Sequence, residues 1–471
     1  MDNNIKRAVD VLRGGGVEVL CGEAARFSRS LDHTRFSAMP AAVVMAASEA
    51  DIEKTLSAAN EFGVGVSVRG SGTGCAGGCV PIDGGLVLDV SRINFIEIDA
   101  FSRVARVGAG AITADIDSAA RKFGLMYAPD PSSHKFCSIG GNIACNAGGL
   151  RALKYGTTRD NVLALVAFTG EGKRVQCALP IKKYSVGLNL RDFFIGSEGT
   201  LGVVSQAWVR LVPAPEATAT VVAFFDGDFA AFEGVGRIMK SPLEPSVLEF
   251  MDADTSGCVR RKAPELGIPA GKALLLVEFD GTAAEVFENA RKCAGMFEQA
   301  LVAEDPERRE RLWKMRRYAS SSMYEFGDSK INQDIVLPYA SLREFFAFYK
   351  DLGARFNLPN PVFGHSGDGN YHIHFMYNAA DDGAKLRAKE AMRLSIEKAV
   401  SLGGAVSGEH GIGFLKSKYM PIQHSEYELQ LMREIKRVFD PNGILNRGKV
   451  MFPSDAGERL EPLKGIKLPW D

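Results

Sequence analysis

The sequence predicts an α+β protein of two domains, and three observations predict it. Short β-prone runs and amphipathic helical stretches follow one another without the regular strand–helix–strand repeat of a parallel sheet. A proline-rich stop, Pro213-Ala-Pro215, divides the chain, and beyond it the pattern suggests antiparallel returns. With 471 residues, 46% of them hydrophobic, the chain is long enough to bury two large cores.

The elements can be justified in order. Asn3–Gly14 carries Ile5, Val9 and Leu12 at helical spacing and runs into three glycines. Ala42–Ala47 reads as a strand, Ser48 as an N-cap, and Asp51–Phe62 as a helix stopped by Gly63. Val64, Val66 and Val68 mark the next strand. Gly85–Val90, Phe95–Ile98 and Val104–Val107 are further strands, followed by a helix from Thr113 to Phe123. Ala207–Leu211 is the last strand before the proline stop.

The strand at Val64–Val68 opens into Arg69-Gly-Ser-Gly-Thr-Gly-Cys-Ala-Gly-Gly78, five glycines in ten residues. Glycine removes the Cβ atom where backbone must approach a ligand, and successive N–H groups in such a loop form an anion-binding nest. Arg69 adds a positive charge; Ser71 and Thr73 add hydroxyls. A pyrophosphate is the natural guest. The loop has neither the Gly-Lys-Ser/Thr ending of a P-loop nor the strand–GxGxxG–helix setting of a dinucleotide fold. A second glycine- and amide-rich stretch, Cys137–Gly149, is a turn cluster taken alone. With the first loop it reads as the other half of one cradle, its Asn142 and Asn146 amides suited to the edges of a heteroaromatic ring. A third stretch, Ile195–Val204, follows.

A net charge of −1 argues against nucleic acid or an anionic membrane as a purely electrostatic partner. The eight cysteines are scattered in a chain too large to need disulfides, which fits a reducing cytoplasm, and Cys75 and Cys79 are too few for an iron–sulfur cluster. Residues 1–20 show no signal-peptide pattern, and no apolar run is long enough for a membrane span.

In the second half, Thr218–Phe225, Val247–Met251, Ala273–Phe279 and Ala300–Glu304 read as strands. Asp228–Met239, Ala283–Ala294, Glu307–Met323 and Leu429–Phe439 read as helices. Four of the seven histidines, His365, His372, His374 and His410, fall within 46 residues. The tight turn Gly367-Asp-Gly-Asn370 folds its flanks back and brings His365 near His372, while His372 and His374 share one strand face. A lone buried histidine is usually a satisfied core residue. Imidazoles at turn spacing, with Glu409-His410 flanked by glycines, instead make a divalent-metal set with open positions, suited to Zn²⁺, Mn²⁺ or Fe²⁺.

Arg69–Gly78, Ser138–Gly149 and Gly196–Val204 together resemble the PCMH-type FAD-binding domain of the vanillyl-alcohol-oxidase family, in the branch of D-lactate dehydrogenases, D-2-hydroxyglutarate dehydrogenases and glycolate oxidase flavin subunits. The resemblance runs from about Arg35 to Met451. It implies a two-subdomain FAD-binding domain over residues 1–213, a substrate- and metal-binding cap domain with antiparallel sheet over 214–445, and a return segment and tail over 446–471. It implies that Arg69, Gly70, Ser71, Gly72, Thr73 and Gly74 wrap the FAD pyrophosphate. Pro131, Ser138, Gly140, Gly141, Asn142, Asn146 and Gly148 would line the flavin, Glu198, Gly199 and Val204 would meet its adenosine end, and Asn446 would lie near it. No histidine falls between His33 and His134, so FAD is expected to be non-covalent.

The same resemblance makes His365, His372 and Glu409 the metal ligands, His410 the general base and Arg316 the clamp on a substrate carboxylate. His374 departs from many relatives and would contact substrate or extend the metal shell; Lys330 and Asn332 both stand as further substrate contacts. The implied reaction is metal-assisted oxidation of a small D-2-hydroxy acid, D-lactate or glycolate, to the 2-keto acid. His410 takes the hydroxyl proton and hydride passes from Cα to the flavin. Electrons would leave to an iron–sulfur subunit, a quinone, a cytochrome or an electron-transferring flavoprotein. A homodimer, and peripheral attachment to a membrane through a partner, are compatible with this. Two alternatives share the fold: a non-redox FAD transferase of the alkyl-glycerone-phosphate synthase type, and a non-catalytic flavin subunit. The His365/His372/Glu409/His410 set argues against both.

Overall fold

A computed structural model describes residues 2–451; the proline- and charge-rich last twenty residues, read as a surface tail, lie outside the described residues. The chain divides into two units. Of the described residues, the first comprises 2–149, 156–213 and 409–451, and the second 150–155 and 214–408.

Among the described residues the first unit holds two larger sheets and a two-stranded pairing of Leu125–Met126 with Val212–Pro213. Strands β1 (Glu18–Leu20), β2 (Ala42–Met45), β3 (Val66–Arg69) and β4 (Leu86–Asp89) form one, in the order β1-β2-β4-β3. β2, β4 and β3 run parallel, which is why helix Glu49–Phe62 is needed to cross between β2 and β3. The Ser48 hydroxyl caps that helix and Gly63, in the left-handed conformation, ends it. The second sheet is wholly antiparallel: β5 (Ile96–Asp99), β6 (Val104–Gly108), β7 (Val162–Phe168), β8 (Arg174–Cys177) and β9 (Val203–Arg210), in the order β5-β6-β9-β7-β8.

Residues 409–450 pack with this first unit, although the sequence reading assigns 214–445 to one domain. Hydrogen bonding explains the difference. The Val66 N–H donates to the Ile444 carbonyl and the Asn446 N–H to the Val66 carbonyl, so the return segment runs beside β3 from its first residue.

The second unit is built on one antiparallel sheet of seven strands. These are β10 (Ala217–Phe225), β11 (Val247–Met251), β12 (Ala273–Gly281), β13 (Ala300–Ala303), β14 (Ser329–Val336), β15 (Val362–His365) and β16 (Asn370–Tyr377), in the order β13-β10-β12-β11-β15-β16-β14. One face carries an aromatic core of Phe232, Phe250, Phe346 and Tyr371, with the Phe232 and Phe346 rings stacked at 4.8 Å. Against the other face packs helix Pro306–Arg317, through Leu312 and Met315. That helix is shorter than the Glu307–Met323 reading: a separate turn, Ala319–Ser322, and a 3₁₀ segment follow it. The helices Leu342–Phe356 and Asp382–Ser401 were not read from the sequence at all. Among the described residues no helix is long and apolar enough to cross a membrane.

Candidate functional site

The first unit contains a cavity of about 580 Å³, walled by the three glycine-rich stretches and the start of the 409–450 segment. Residues Arg69–Cys75 form one wall, Pro131, Ser138 and Gly140–Asn142 another, and Glu198, Gly199 and Val204 a third; Gly148, Glu409 and His410 also line it. The first two walls close tightly. A Cβ on Gly70 would stand 2.2 Å from the Ser138 hydroxyl oxygen, so glycine lets the stretches meet with that hydroxyl where it is. Gly72, at φ +74°, has the Arg69 guanidinium where its Cβ would be. Arg69 is thus drawn in beneath its own loop, where Nη1 donates to the Leu31 carbonyl at 2.8 Å.

The Cys137–Gly149 stretch is not only turns. Ile139–Cys145 is a short helix, with Asn146 ending it in the left-handed conformation. The two amides expected on a ring edge are engaged by the protein. Asn142 Nδ2 donates to Thr113 Oγ1 at 2.7 Å, and Asn146 Oδ1 accepts from the Arg159 N–H at 2.9 Å. Asn146 and Asn446 do not line the cavity. Asn446 instead braces its walls: Oδ1 accepts from the Val68 N–H at 3.0 Å, and Nδ2 donates to the Glu198 carbonyl. The Ser138 hydroxyl differs from these, being buried in the wall without a hydrogen-bond partner. An orphaned hydroxyl in a glycine cradle suits an absent polar ligand, and FAD fits the residues present.

Glu198 is the side chain that returns the later segment to this cavity. Its buried carboxylate accepts from the Ile412 N–H at 2.7 Å and the Gly413 N–H at 2.8 Å. Burial pushes its carboxyl up, while those two N–H groups, Lys416 and Lys449 oppose the shift. The result is a fixed turn just after Glu409 and His410, which are partly exposed, with His410 Nε2 3.7 Å from Glu409 Oε1.

In the second unit, the hairpin β15–β16 places the histidines. The His365 and His372 rings lie edge to face at 5.3 Å, as diagonal neighbours across the strand pair. His374 follows on the same face, 5.2 Å from Phe363. Arg316 lies over Phe363 at 4.4 Å, and its Nε donates to Glu249 Oε2 at 2.6 Å. Glu249, on β11 directly opposite His365, also meets His365 Nδ1 at 2.5 Å through Oε1. This residue was missed in the sequence. The signal available was a carboxylate inside the apolar run Val247–Met251, where charge must be paired to be buried. Burial opposes ionisation of Glu249, yet its His365 and Arg316 partners hold its carboxyl below the usual range.

Of the two further candidates, Lys330 is half-buried and donates to Ser320 Oγ at 3.1 Å. Asn332 is exposed and stands opposite His374 in the β14–β16 pairing. Behind the histidines, fully buried Asp334 accepts from the Ser407 hydroxyl and, at 2.9 Å, from the Gly408 N–H. It thereby fixes the residue before Glu409.

Burial, reinforced by the Lys330 charge, pushes His374 down to about 3. It is therefore neutral in the folded protein, whereas an unfolded chain protonates this imidazole below about pH 6.5. The unfolded state binds the extra proton between these values, so stability falls as pH falls through that window. At pH 5 this one group is expected to cost about 2 kcal/mol relative to neutral pH. Thermal unfolding of wild type and His374→Gln at pH 7.5 and pH 5 checks it: the variant should lose less, and equal losses would refute the assignment.

The chain matches two family models, "FAD binding domain" over residues 40–178 and "FAD linked oxidases, C-terminal domain" over residues 214–450. It is 36% identical to the glycolate oxidase subunit GlcD of Bacillus subtilis, covering 93% of this chain and 94% of that protein. It is 33% identical to a D-lactate dehydrogenase of Anaerostipes hadrus, over 88% and 90% of the two chains. Among solved structures it resembles p-cresol methylhydroxylase with substrate bound, at TM-score 0.79 and 14% identity over 96% and 98% of the chains. It also resembles alkyldihydroxyacetonephosphate synthase, at TM-score 0.73 and 18% identity over 93% and 85%.

Proposed function

Because the chain belongs to the vanillyl-alcohol-oxidase family of FAD-linked oxidases, we propose that it oxidises a small D-2-hydroxy acid, such as D-lactate or glycolate, to the 2-keto acid and passes the electrons to a separate acceptor. The observation that carries this reading is the second unit's histidine face, where Arg316 and His365 share one buried carboxylate and the His372 ring faces His365. That is donor chemistry for a divalent cation beside a cation suited to a carboxylate.

The residues have distinct roles in this reading. Arg69–Gly74, Ser138–Gly141 and Glu198–Val204 hold FAD. His365, His372 and Glu409 hold a divalent ion, zinc, manganese or iron. When bound, the flavin supplies two-electron acceptance and the ion supplies Lewis-acid polarisation of the substrate hydroxyl. Arg316, with Nε occupied by Glu249, presents its remaining guanidinium edge to the substrate carboxylate. His410 accepts the proton of the substrate hydroxyl. Neutral, buried His374 offers the substrate a hydrogen bond rather than a charge.

Likeness to alkyldihydroxyacetonephosphate synthase extends to fold alone at this identity. Redox chemistry separates the two readings. Purified protein, mixed anaerobically with a panel of D- and L-2-hydroxy acids, should show bleaching of the flavin band with a D-acid or glycolate. No bleaching across the panel would overturn the proposal.

A further inference from the structure

Glu249 is fully buried on a strand of the second unit, yet it carries a charge and touches two functional candidates. The register explains how. Glu249 pairs directly with His365 across β11 and β15, so both side chains leave the sheet on one face with Cβ atoms about 5 Å apart. One carboxylate oxygen meets His365 Nδ1 and the other meets Arg316 Nε. The Arg316 plane is fixed from beneath by Phe363. A carboxylate paired with arginine is an acceptor, so the proton at the His365 contact sits on Nδ1, and Nε2 is the nitrogen that an ion would meet.

We propose that Glu249 is a positioning residue: it selects the His365 tautomer that presents Nε2 to a divalent cation, and through Arg316 it ties the orientation of that ligand to the orientation of the carboxylate clamp. The inference rests on the metal reading given above, and it makes a prediction about the chain without any ion. Glutamine at 249 keeps the shape and still accepts from Arg316 Nε through its single carbonyl oxygen. Its amide NH₂ then faces His365 Nδ1 as a donor. That contact favours the opposite tautomer, with the proton on Nε2, where it blocks ligation.

The test uses the full chain with FAD bound. Long-range ¹H–¹⁵N spectra of histidine-labelled, chelator-treated protein should show His365 as the Nδ1–H tautomer, its signals assigned by their loss in H365Q. In E249Q the Nε2–H tautomer should appear, and zinc or manganese affinity, measured by competition with a chromophoric chelator, should fall by about 10–100-fold. A wild-type His365 protonated on Nε2 overturns the proposal, and this measurement stands even where E249Q fails to fold. Equal tautomers and equal ion affinity in wild type and E249Q overturn it as well. A wild-type protein that binds no divalent ion, with the tautomers as stated, sinks the metal reading and leaves the positioning role intact.

Discussion

Replacing His410 with glutamine is expected to slow flavin reduction by about 10²–10⁴-fold, the range for removal of a general base. Glutamine approximates the length of the imidazole and can still hydrogen-bond, but it does not accept a proton. His410 lies on the cavity wall and its side chain is partly exposed, so the substitution leaves no large void. FAD content and thermal unfolding should therefore match wild type. Stopped-flow reduction under anaerobic conditions, at saturating substrate, reads the effect. Reduction at close to the wild-type rate would remove His410 from the proposed chemistry.

The second large effect is expected from the metal. Lewis-acid stabilisation of a developing alkoxide is worth several kcal/mol, so chelator treatment should reduce the rate by about 10³-fold. Zinc, manganese or iron(II) should restore it. His372→Ala should reproduce the loss without rescue by added ion, while keeping FAD. His365→Ala should do the same but also lower the unfolding temperature. The contrast follows from packing. His372 is half-buried, whereas His365 is the partner of a wholly buried carboxylate whose charge is then left with Arg316 alone. Removing one partner of such a buried group costs about 3–5 kcal/mol. Unaltered rates after complete chelation would refute the metal role, and equal unfolding temperatures for the two variants would refute the packing argument.

Much of the fold was legible because it is written in local signals. The helix over Asn3–Gly14 and the Ser48 cap followed by a glycine stop follow from periodicity and capping chemistry, which act within a few residues. The hairpin carrying His365 and His372 is similarly local, because a tight glycine turn admits few pairings. The helix Asp382–Ser401 buries Met392 and Ile396 only in its second half; its first half buries Ala384, Ala388 and Ala391, which give a weak apolar period. The Glu307–Met323 helix was overextended because nothing local marks its stop at Arg317.

By itself the sequence determined the cradle, with its glycines, hydroxyls and cation, and the hairpin that brings His365 beside His372. These are properties of residue type and short spacing. Only the tertiary structure decided how side chains far apart in the chain use one another. It spent Asn142 and Asn146 inside the protein and left the Ser138 hydroxyl open. It turned the segment after Glu409 onto the cavity through Glu198, 214 residues earlier. It put Glu249 between an arginine 67 residues away and a histidine 116 residues away. The physical reason is that a buried charge is tolerated only where partners converge on it, and that convergence is set by strand register and packing, which act over the whole chain.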